Sequence, residues 1–481
     1  MIKLVEKINS LFTTLIKVYT NLYKKFINCM KIHLIAIGGS AMHNLAIALK
    51  NRGYFVSGSD DEIFEPSRSR LLKHNLLPDK IGWDISRITD DIDIIVLGMH
   101  ARKDNPELIE ALRKGLKVYS YPEYLYYQTK NKKRVVISGS HGKTTVTSMI
   151  MHVLKYHGLD FDYLVGAKIE GFDTMVKVGS EGEFAIIEGD EYLSSPIDRR
   201  PKFHWYKPDI AVLTGIAWDH INVFPTFDDY LRQFSMFVEL INKDGCLIWY
   251  EKDKNIAEIV DNKQNLRNIP YKALNYNIKK SSSEIVYKDK VYDVPVFGKH
   301  NMQNLNCARI VCKELGIGSF DFFNAIMSFK GAAKRMQLIK ETVNFSMFID
   351  FAHAPSKLKA TVDAMKEKYP DRTLIACIEL HTFSSLNARF LSEYYMSMAN
   401  ADSSVVYYNP KVIEHKQLAQ ITPEMIKGAF GNNPLVFTDT DEFQRYLKSV
   451  GWQNKVLLMM SSGNFNGIDF ELLGDEIIKN I

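Results

Sequence analysis

Residues 134–148 read Arg-Val-Val-Ile-Ser-Gly-Ser-His-Gly-Lys-Thr-Thr-Val-Thr-Ser, and this stretch decides the fold. Its β-branched, apolar start, Val135 to Ile137, is typical of a strand buried on both faces. A glycine-rich turn follows, and the residues from Lys143 onward favour a helix. A strand, a glycine turn and a helix N-terminus together direct backbone N–H groups and the positive end of a helix dipole at one point. Such a point suits a polyphosphate.

The turn and the start of the helix form the predicted ATP site. Its residues are Gly139, Ser140, His141, Gly142, Lys143, Thr144 and Thr145. In such a loop the lysine supplies a cation for the β- and γ-phosphates, and the first threonine supplies a hydroxyl for Mg²⁺. The stretch is shorter than the full P-loop pattern, because Ile137 stands where the first glycine would fall. As a bare string it also fits an ordinary loop, but the preceding strand and the motifs below favour the ATP site.

Length and composition indicate a globular protein of several domains. At 481 residues the chain is too long for one ordinary core, so we expect two to four domains. Most of the net charge of +5 comes from residues 1–29, which hold five lysines and one glutamate, so the sequence predicts no nucleic-acid surface. The five cysteines show neither zinc spacing nor a disulfide pattern, which favours a reducing, cytoplasmic location.

Residues 1–29 are interpreted separately. They mix large apolar residues with lysines and fit an amphipathic helix that lies on a membrane or a partner. They lack the apolar core and cleavage site of a secretory signal, and no apolar run in the chain reaches transmembrane length. We therefore expect no stable membrane insertion. The alternative is that translation starts at Met30, because the first core strand begins at Lys31.

The chain after Met30 opens with a βαβ pattern. A strand over 31–37 leads through the turn 38–41 into an apolar helix, and a second strand ends just before Asp60. An acidic residue about twenty positions after a glycine turn is the layout of a nucleotide-binding Rossmann half. The glycine pattern is degraded, so a plain doubly wound sheet fits nearly as well. A third strand ends in the polar loop 100–106, at a position where ligands usually bind.

Polar residues follow two strands of the central part of the chain. The strand 184–187 runs into Glu188-Gly-Asp-Glu-Tyr192, and three carboxylates in four positions beside a phosphate loop favour an Mg²⁺ site over a solvated acidic turn. The strand 210–214 leads to Trp-Asp-His220. A lone histidine is more often structural than a ligand, but the expected order of the strands places His220 in the same crevice.

From Lys330 onward a third set of strands and helices begins. Strands over 346–350, 374–378 and 456–460 each end in polar residues. Repeats of this kind predict a further doubly wound α/β domain with its ligands at the strand ends.

Taken together, these motifs resemble those of the Mur ligases. In the order found in that family, the chain has Gly-Ser-His-Gly-Lys-Thr-Thr (139–145), Glu188-Gly-Asp-Glu-Tyr192, Asp219-His220, His300-Asn-Met-Gln-Asn304, Lys334-Arg335 and Asp350-Phe-Ala-His353. The resemblance covers residues 31–475. It implies an ATP- and Mg²⁺-dependent ligase that joins UDP-linked muramic acid to an amino acid or peptide in bacterial cell-wall synthesis.

The resemblance implies an α/β fold of three domains. After the extension 1–29, a Rossmann-like UDP-binding domain would span residues 30–129. A P-loop ATPase-type central domain would span residues 130–329, and a Rossmann-like C-terminal domain residues 330–481.

The resemblance also implies roles for individual residues. The implied catalytic residues are Lys143, Glu188, His220 and Arg335. The implied metal ligands are Thr144 and Glu188 for one Mg²⁺, and His220 for a second. The implied ATP contacts outside the loop are His300, Asn301, Asn304, Arg335 and Asp350, with the asparagines at adenine, Asp350 at ribose and Arg335 at the γ-phosphate after domain closure. The implied substrate contacts are Gly38, Gly39, Ser40, Ala41, Asp60, His100, Tyr192, Arg199, Arg200, His353, His381 and Asn464. For Arg199, Arg200 and His381, contact with substrate carboxylates and a purely structural role fit equally well.

Within the family, the sequences at 38–42 and 104–106 resemble the branch that acts on UDP-N-acetylmuramate itself. The stretches 190–203 and 460–468 resemble that branch's recycling ligase, which attaches the tripeptide L-alanyl-γ-D-glutamyl-meso-diaminopimelate. The expected amine is therefore this tripeptide, and the alternative is L-alanine. Residues 379–382, Glu-Leu-His-Thr, fit neither branch's pattern.

Two other classes of protein also fit some of the motifs. One is a P-loop nucleotide switch without ligase chemistry. The other is an oxidoreductase that binds NAD in its first domain. The degraded glycine pattern weakens this interpretation. The sequence indicates no oligomeric state.

Overall fold

The computed structural model describes residues 30–263, 265–279 and 282–479. Three mainly parallel sheets follow one another along these residues, and a small antiparallel sheet accompanies the second. This architecture confirms the predicted α/β class with three domains. The predictions for residues 1–29 lie outside the described residues. Among the described helices, none is both long enough and apolar enough to span a bilayer.

The first sheet has the strand order β2-β1-β3-β4, and all of its strands are parallel. Its strands are β1 (Lys31–Ile35), β2 (Phe55–Ser59), β3 (Ile94–Leu97) and β4 (Val118–Ser120), and its helices are α1 (Ser40–Asn51), α2 (Ser67–Lys73), α3 (Pro106–Arg113) and α4 (Tyr121–Thr129). The carboxyl ends of β1, β2 and β3 share one edge of the sheet. The turn 38–41, Asp60 and the loop 100–106 therefore lie side by side.

The second sheet has the order β11-β10-β9-β5-β8-β6-β7, and only β7 is antiparallel to its neighbour. Its strands are β5 (Lys133–Ser138), β6 (Phe161–Leu164), β7 (Val176–Lys177), β8 (Phe184–Glu188), β9 (Ile210–Leu213), β10 (Cys246–Tyr250) and β11 (Arg267–Tyr271). The small sheet contains β12 (Asn277–Ile278), β13 (Ser283–Tyr287) and β14 (Lys290–Val294). The helices are α5 (Lys143–Tyr156), α6 (Phe227–Glu239), α7 (Lys254–Asp261), α8 (Lys299–Glu314) and α9 (Ser319–Ile326). Because β5 lies between β8 and β9, the loops that follow these three strands adjoin.

The third sheet has the order β15-β16-β20-β17-β18-β19, and only β15 is antiparallel. Its strands are β15 (Gln337–Glu341), β16 (Phe345–Asp350), β17 (Thr373–Leu380), β18 (Ser403–Tyr408), β19 (Leu435–Phe437) and β20 (Lys455–Met460), and its helices are α10 (Pro355–Lys368), α11 (Pro410–His415), α12 (Pro423–Phe430), α13 (Thr440–Ser449) and α14 (Phe470–Lys479). Strand β17 continues two residues beyond its predicted end, so Glu379 is a buried strand residue and not part of a polar loop.

Both outer domains contact the central one. On the N-terminal side, the Asn44 side chain accepts a hydrogen bond from the backbone N–H of Met175 at 3.0 Å. On the C-terminal side, Ala332 forms an isolated β-bridge with Ile169, and the Ser384 hydroxyl donates to Asp219 Oδ1 at 3.2 Å. These contacts bring residues of the third domain to the strand ends of the second.

Candidate active site

The loop between β5 and α5 has the geometry of an anion cradle. Gly139 and Gly142 have φ angles of 126° and 79°, which favour glycine. No side chain caps α5, so the N–H groups of its first turn are available to a ligand. A Cβ at residue 142 would lie 2.5 Å from Asn304 Oδ1, so the Asn304 side chain packs directly on this loop. The loop therefore fits the phosphates of a nucleotide.

Lys143 forms a buried ion pair. Its Nζ lies 2.6 Å from Glu191 Oε2 and donates to the backbone carbonyl of Gly139, also at 2.6 Å. Burial alone would raise the pKa of Glu191, but Lys143 and His220 hold it well below its usual range. The Tyr230 hydroxyl donates to the other carboxylate oxygen at 3.0 Å. Glu191 thus orients the lysine beside the cradle.

Of the three carboxylates at and just beyond the end of β8, only Glu188 contacts Thr144. The Thr144 hydroxyl donates to Glu188 Oε1 at 2.9 Å, and Glu188 Oε2 accepts from the backbone N–H of Gly166. Asp190 pairs with Lys202 at 2.5 Å, and Glu191 pairs with the loop lysine. A hydroxyl and a carboxylate are the hard oxygen ligands that Mg²⁺ takes beside substrate phosphates, so this pair fits the expected metal. The described residues contain no group of three or more acidic, histidine or cysteine side chains suited to a metal.

His220 lies against Glu191 and not against the Thr144–Glu188 pair. Its Nε2 is 3.6 Å from Glu191 Oε1, and its ring packs edge-on against Tyr192 at a centroid distance of 5.2 Å. Burial lowers the pKa of His220, but Asp219 and Glu191 outweigh it and raise the pKa above the ordinary value. Its φ of 55° is unusual for a residue other than glycine, and strain of this kind is common at functional sites.

Arg335 reaches the phosphate loop from the third domain. Its Nη2 donates to Thr144 Oγ1 at 3.3 Å, and its guanidinium lies over the Phe351 ring at 4.4 Å. Residues 334 and 336 on either side have φ angles of 55° and 49°. Asp350 holds this segment, because its carboxylate accepts the backbone N–H groups of Met336 at 2.7 Å and Ala352 at 2.8 Å. Asp350, which the resemblance assigns to the ribose of ATP, therefore also positions Arg335.

A single cavity of about 1160 Å³ joins these groups. The predicted site residues that line it are Ser140, His141, Gly142, Lys143, Thr144, Thr145, Glu188, His220, His300, Asn301, Asn304, Arg335, Asp350 and His353. Lys143 and Arg335 share this cavity although about 190 residues separate them in the sequence. A nucleotide and a second substrate can therefore meet between the central and C-terminal domains.

The predicted UDP contacts form a second cluster, outside this cavity. Asp60 Oδ2 accepts the backbone N–H of Gly38 at 2.7 Å, and a Cβ at residue 39 would lie 3.6 Å from the His100 ring. No side chain caps α1, which begins at Ser40. The turn 38–41, Asp60 and His100 thus adjoin at the edge of the first sheet, as predicted from the strand ends.

Besides the UDP cluster, five further predicted substrate residues do not line the cavity, and most of them have local partners. Arg200 pairs with Asp198 at 3.0 Å and lies over the Trp205 ring at 4.2 Å. The Tyr192 hydroxyl accepts a hydrogen bond from the Asn222 side chain. The side-chain oxygen of Asn464 accepts one from the backbone N–H of Gly467, and His381 lies 3.8 Å from Glu379. Arg199 is exposed. These contacts favour structural roles for Arg200 and Asn464 in the absence of substrate.

Sequence reasoning missed two members of the site. Glu191 belongs to the quoted acidic motif but was grouped with possible metal ligands, and its position three residues after β8, beside the phosphate loop, could have indicated a partner for the loop lysine. Lys357, in the first turn of α10, also lines the cavity, and no sequence signal pointed to it.

Substitution of Gly139 by alanine is expected to abolish ATP binding and to lower the free energy of unfolding by about 2–4 kcal/mol. The new Cβ would lie 2.3 Å from Thr214 Oγ1 and 2.9 Å from the backbone oxygen of Gly215, so the loop must move. Isothermal titration and urea unfolding measure the two effects. Gly158→Ala is the control: its φ is 69° and nothing lies within 4 Å, so it should cost only about 1 kcal/mol and leave ATP binding intact. Unchanged ATP affinity in Gly139→Ala would contradict the cradle.

Asp60→Asn is expected to stabilise the protein at neutral pH while weakening its binding to a UDP-sugar. Burial raises the pKa of Asp60 from 3.8 to about 6. An asparagine oxygen can still accept from Gly38, but the side chain loses the acceptor that Asp60 Oδ1 offers to the backbone N–H of Asp61 at 3.0 Å, which offsets part of the gain. Because the folded protein binds this proton more tightly than the unfolded chain, stability falls as pH rises from about 4 to 6 and is level above that range. Urea unfolding should show a gain of about 1–2 kcal/mol at pH 7.5 and no gain, or a small loss, at pH 4. The exposed Asp79→Asn is the control, and an equal gain at both pH values would refute the explanation.

Comparison with known proteins identifies the family. Family models described as "Mur ligase family, catalytic domain", "Mur ligase middle domain" and "Mur ligase, glutamate ligase domain" match residues 31–133, 137–312 and 334–463. A UDP-N-acetylmuramate--L-alanine ligase of Caldicellulosiruptor bescii is 32% identical over 394 residues, 78% of this chain and 83% of that protein. A protein of the same name from Carboxydothermus hydrogenoformans is 28% identical, over 95% of this chain and 98% of that protein.

Among solved structures, a murein peptide ligase from Psychrobacter arcticus has a TM-score of 0.66 at 23% identity, over 94% of this chain and 98% of that chain. At this identity the likeness shows the fold alone.

The prediction that the amine substrate is the tripeptide is wrong. The curated relatives that match most of the chain are named for L-alanine, whereas the likeness to the murein peptide ligase is one of fold. The stretches 190–203 and 460–468, which suggested the tripeptide, hold the ion pairs of Asp190 and Arg200 and the turn at Asn464. Such local structural contacts do not report which amine binds.

The nucleotide-switch and oxidoreductase alternatives are also wrong, since the matching family consists of ATP-dependent ligases. Three family models in succession, and a relative that is 32% identical over most of its length, show that the chain belongs to the Mur ligase family and is an ATP-dependent ligase.

Proposed function

We propose that the protein joins the lactyl carboxylate of UDP-N-acetylmuramate to the amine of L-alanine at the expense of ATP. The names of the curated relatives support this choice of substrates. The observation that carries it is the shared cavity, in which Lys143 of the central domain and Arg335 of the C-terminal domain face the same phosphate loop. A site of this kind suits the transfer of a phosphoryl group that is held from two sides.

A carboxylate is a poor electrophile, so one of its oxygens must first become part of a leaving group. In the proposed reaction that oxygen attacks the γ-phosphorus of ATP, ADP leaves, and an acyl phosphate forms. The neutral amine then attacks the acyl carbon, inorganic phosphate leaves as the amide bond forms, and the proton that the nitrogen loses passes to the released phosphate. Such steps depend mainly on positioning and on neutralising charge, which the cavity's cations supply.

We assign the phosphate contacts to the loop and its neighbours. Lys143 exchanges its contact with Glu191 for the β- and γ-phosphates, and Arg335 binds the transferred phosphoryl group. Asn304 supports the loop through its contact with Gly142. The Thr144 hydroxyl and Glu188 would hold Mg²⁺, which when bound neutralises phosphate charge and orients the phosphates.

His353 suits a contact with the incoming amine. Its Nδ1 lies 2.8 Å from the backbone carbonyl of Phe351, so Nδ1 carries the proton and Nε2, 3.8 Å from Asp219, is free to accept. Burial and the nearby Lys357 lower the pKa of His353 to about 3, so the ring is neutral at physiological pH. We assign the cluster of Gly38, Asp60 and His100 to UDP, because the open N-terminus of α1 suits a pyrophosphate.

Phosphate release from ATP tests the function directly. We expect release to require both UDP-N-acetylmuramate and an amine, with L-alanine the preferred amine among the natural amino acids and the tripeptide. Mass spectrometry of the product should show UDP-N-acetylmuramoyl-L-alanine. Hydrolysis that does not depend on the UDP-sugar, or a clear preference for another amine, would overturn the proposal.

A further inference from the structure

Lys357 adds a further cation to the cavity, and in the described part of the chain it forms no hydrogen bond with the phosphate loop. It lies in the first turn of α10 and lines the cavity, and its side chain is 22% exposed. The distances place Lys143 and Arg335 directly at the loop, at Gly139 and Thr144. Lys357 instead faces Asp219, which follows β9, so it serves a different part of the cavity.

The surroundings of Lys357 leave its ammonium group without a hydrogen-bond acceptor. Its nearest carboxylate oxygen, Asp219 Oδ2, is 3.9 Å away, too far for a hydrogen bond. Asp219 is shared, because Ser384 donates to it at 3.2 Å and His353 lies 3.8 Å from it. Within the described residues, Lys357 donates no hydrogen bond. The other charged or titratable groups that interact with it electrostatically are Lys143, Glu191, Arg335, His141 and His353. Burial lowers the pKa of Lys357, while Asp219 opposes this.

Other groups that line the cavity also lack partners among the described residues. No side chain caps α10 at Ala354. The hydroxyls of Ser356 and Ser462 are buried and have no hydrogen-bond partner among the described residues, and both residues line the cavity. Buried hydroxyls are seldom left unpaired, and a helix N-terminus beside a lysine favours an anion. These groups line the same cavity as the nucleotide loop, and together they favour a second anion beside the nucleotide.

One anionic group of the proposed substrates has no assigned contact so far: the α-carboxylate of the incoming amino acid. The residues assigned to the ATP phosphates do not bind it. The residues that sequence reasoning assigned to substrate carboxylates, Arg199, Arg200 and His381, do not line the cavity. We propose that Lys357, at the N-terminus of α10, binds the α-carboxylate of the incoming amino acid and so selects a free amino acid. This inference rests on the proposed ligase function and deepens it. Neutral His353, in the loop that leads into α10, then lies where the amine of that substrate can approach.

Comparing an amino acid with its amide tests this role. The amide of L-alanine keeps the nucleophilic amine but lacks the negative charge, so it does not benefit from the lysine. In Lys357→Gln we expect kcat/KM for L-alanine to fall about 10–100-fold, mainly through KM, while kcat/KM for L-alaninamide stays within about twofold. The KM for ATP should stay within the same limit. Lys357→Arg should recover part of the loss with L-alanine.

Lys359→Gln is the matched control, because this lysine is on the same helix, is more than half exposed and pairs with Asp363. It should leave both amines unaffected. Equal loss with L-alanine and its amide in Lys357→Gln would overturn the inference and point to a phosphate contact or a structural role. If the wild-type enzyme prefers another amino acid, the L-alanine proposal fails, and the same comparison of that acid with its amide tests Lys357.

Discussion

Replacement of Lys143 by alanine is expected to lower kcat for ATP-dependent ligation by at least about 10³-fold. The lysine is the cation held beside the phosphate loop, at 2.6 Å from Gly139 O, and loss of one preorganised electrostatic contact of this kind typically costs 10²–10³-fold in rate. A larger loss is expected here because the β- and γ-phosphates lose their one mobile cation from the loop. Product formation followed by mass spectrometry measures the effect.

The same substitution should also destabilise the fold. Removing Lys143 leaves Glu191, which is 1% exposed, without its nearest cation, and breaking a buried pair costs up to about 3–5 kcal/mol. The double variant Lys143→Ala/Glu191→Gln removes both charges, so it should regain much of the stability and none of the activity. Lys155→Ala, at the far end of α5, should behave like the wild type in ligation. Substantial ligation by the stable double variant would rule out the phosphate role of the lysine.

Arg335→Ala is expected to lower kcat by about 10³-fold or more while the affinity for the UDP-sugar stays unchanged. An arginine that reaches a transferring phosphoryl group from another domain contributes 10³–10⁵-fold in comparable reactions. The UDP-sugar is unaffected because its proposed contacts at Gly38 and Asp60 lie outside the cavity. Arg335→Lys should recover only part of the rate, because an ammonium cannot reproduce the planar fork of the guanidinium or its stacking on Phe351.

Steady-state kinetics and calorimetric titration with UDP-N-acetylmuramate separate these two effects. Arg445→Ala, on the exposed face of α13 in the same domain, is the control and should change neither quantity. If Arg335→Ala left kcat unaltered, the third domain would supply no group to phosphoryl transfer.

The positions of the sites at strand ends followed from the sequence. Short β-branched runs such as Val135–Ile137 form buried parallel strands, and the carboxyl ends of such strands share one edge of a sheet. This local rule brought Gly38, Asp60 and His100 together, and it placed Glu188 beside Thr144. The motif order also indicated the family, which the comparisons show. The amine substrate did not follow, because the stretches that suggested the tripeptide hold local structural contacts, whereas the relatives that match most of the chain are named for L-alanine.

The sequence by itself determined the three α/β domains and the phosphate loop, because hydrophobic periodicity and glycine turns act over a few residues. Only the tertiary structure decided which charges pair: that Glu191 and not Glu188 holds Lys143, that Arg335 reaches Thr144, and that Lys357 faces Asp219. The physical reason is that these contacts join strands and domains distant in the chain. Which charged residues become neighbours depends on how the domains pack. Residue type alone does not determine the distance between two side chains that are far apart in the sequence.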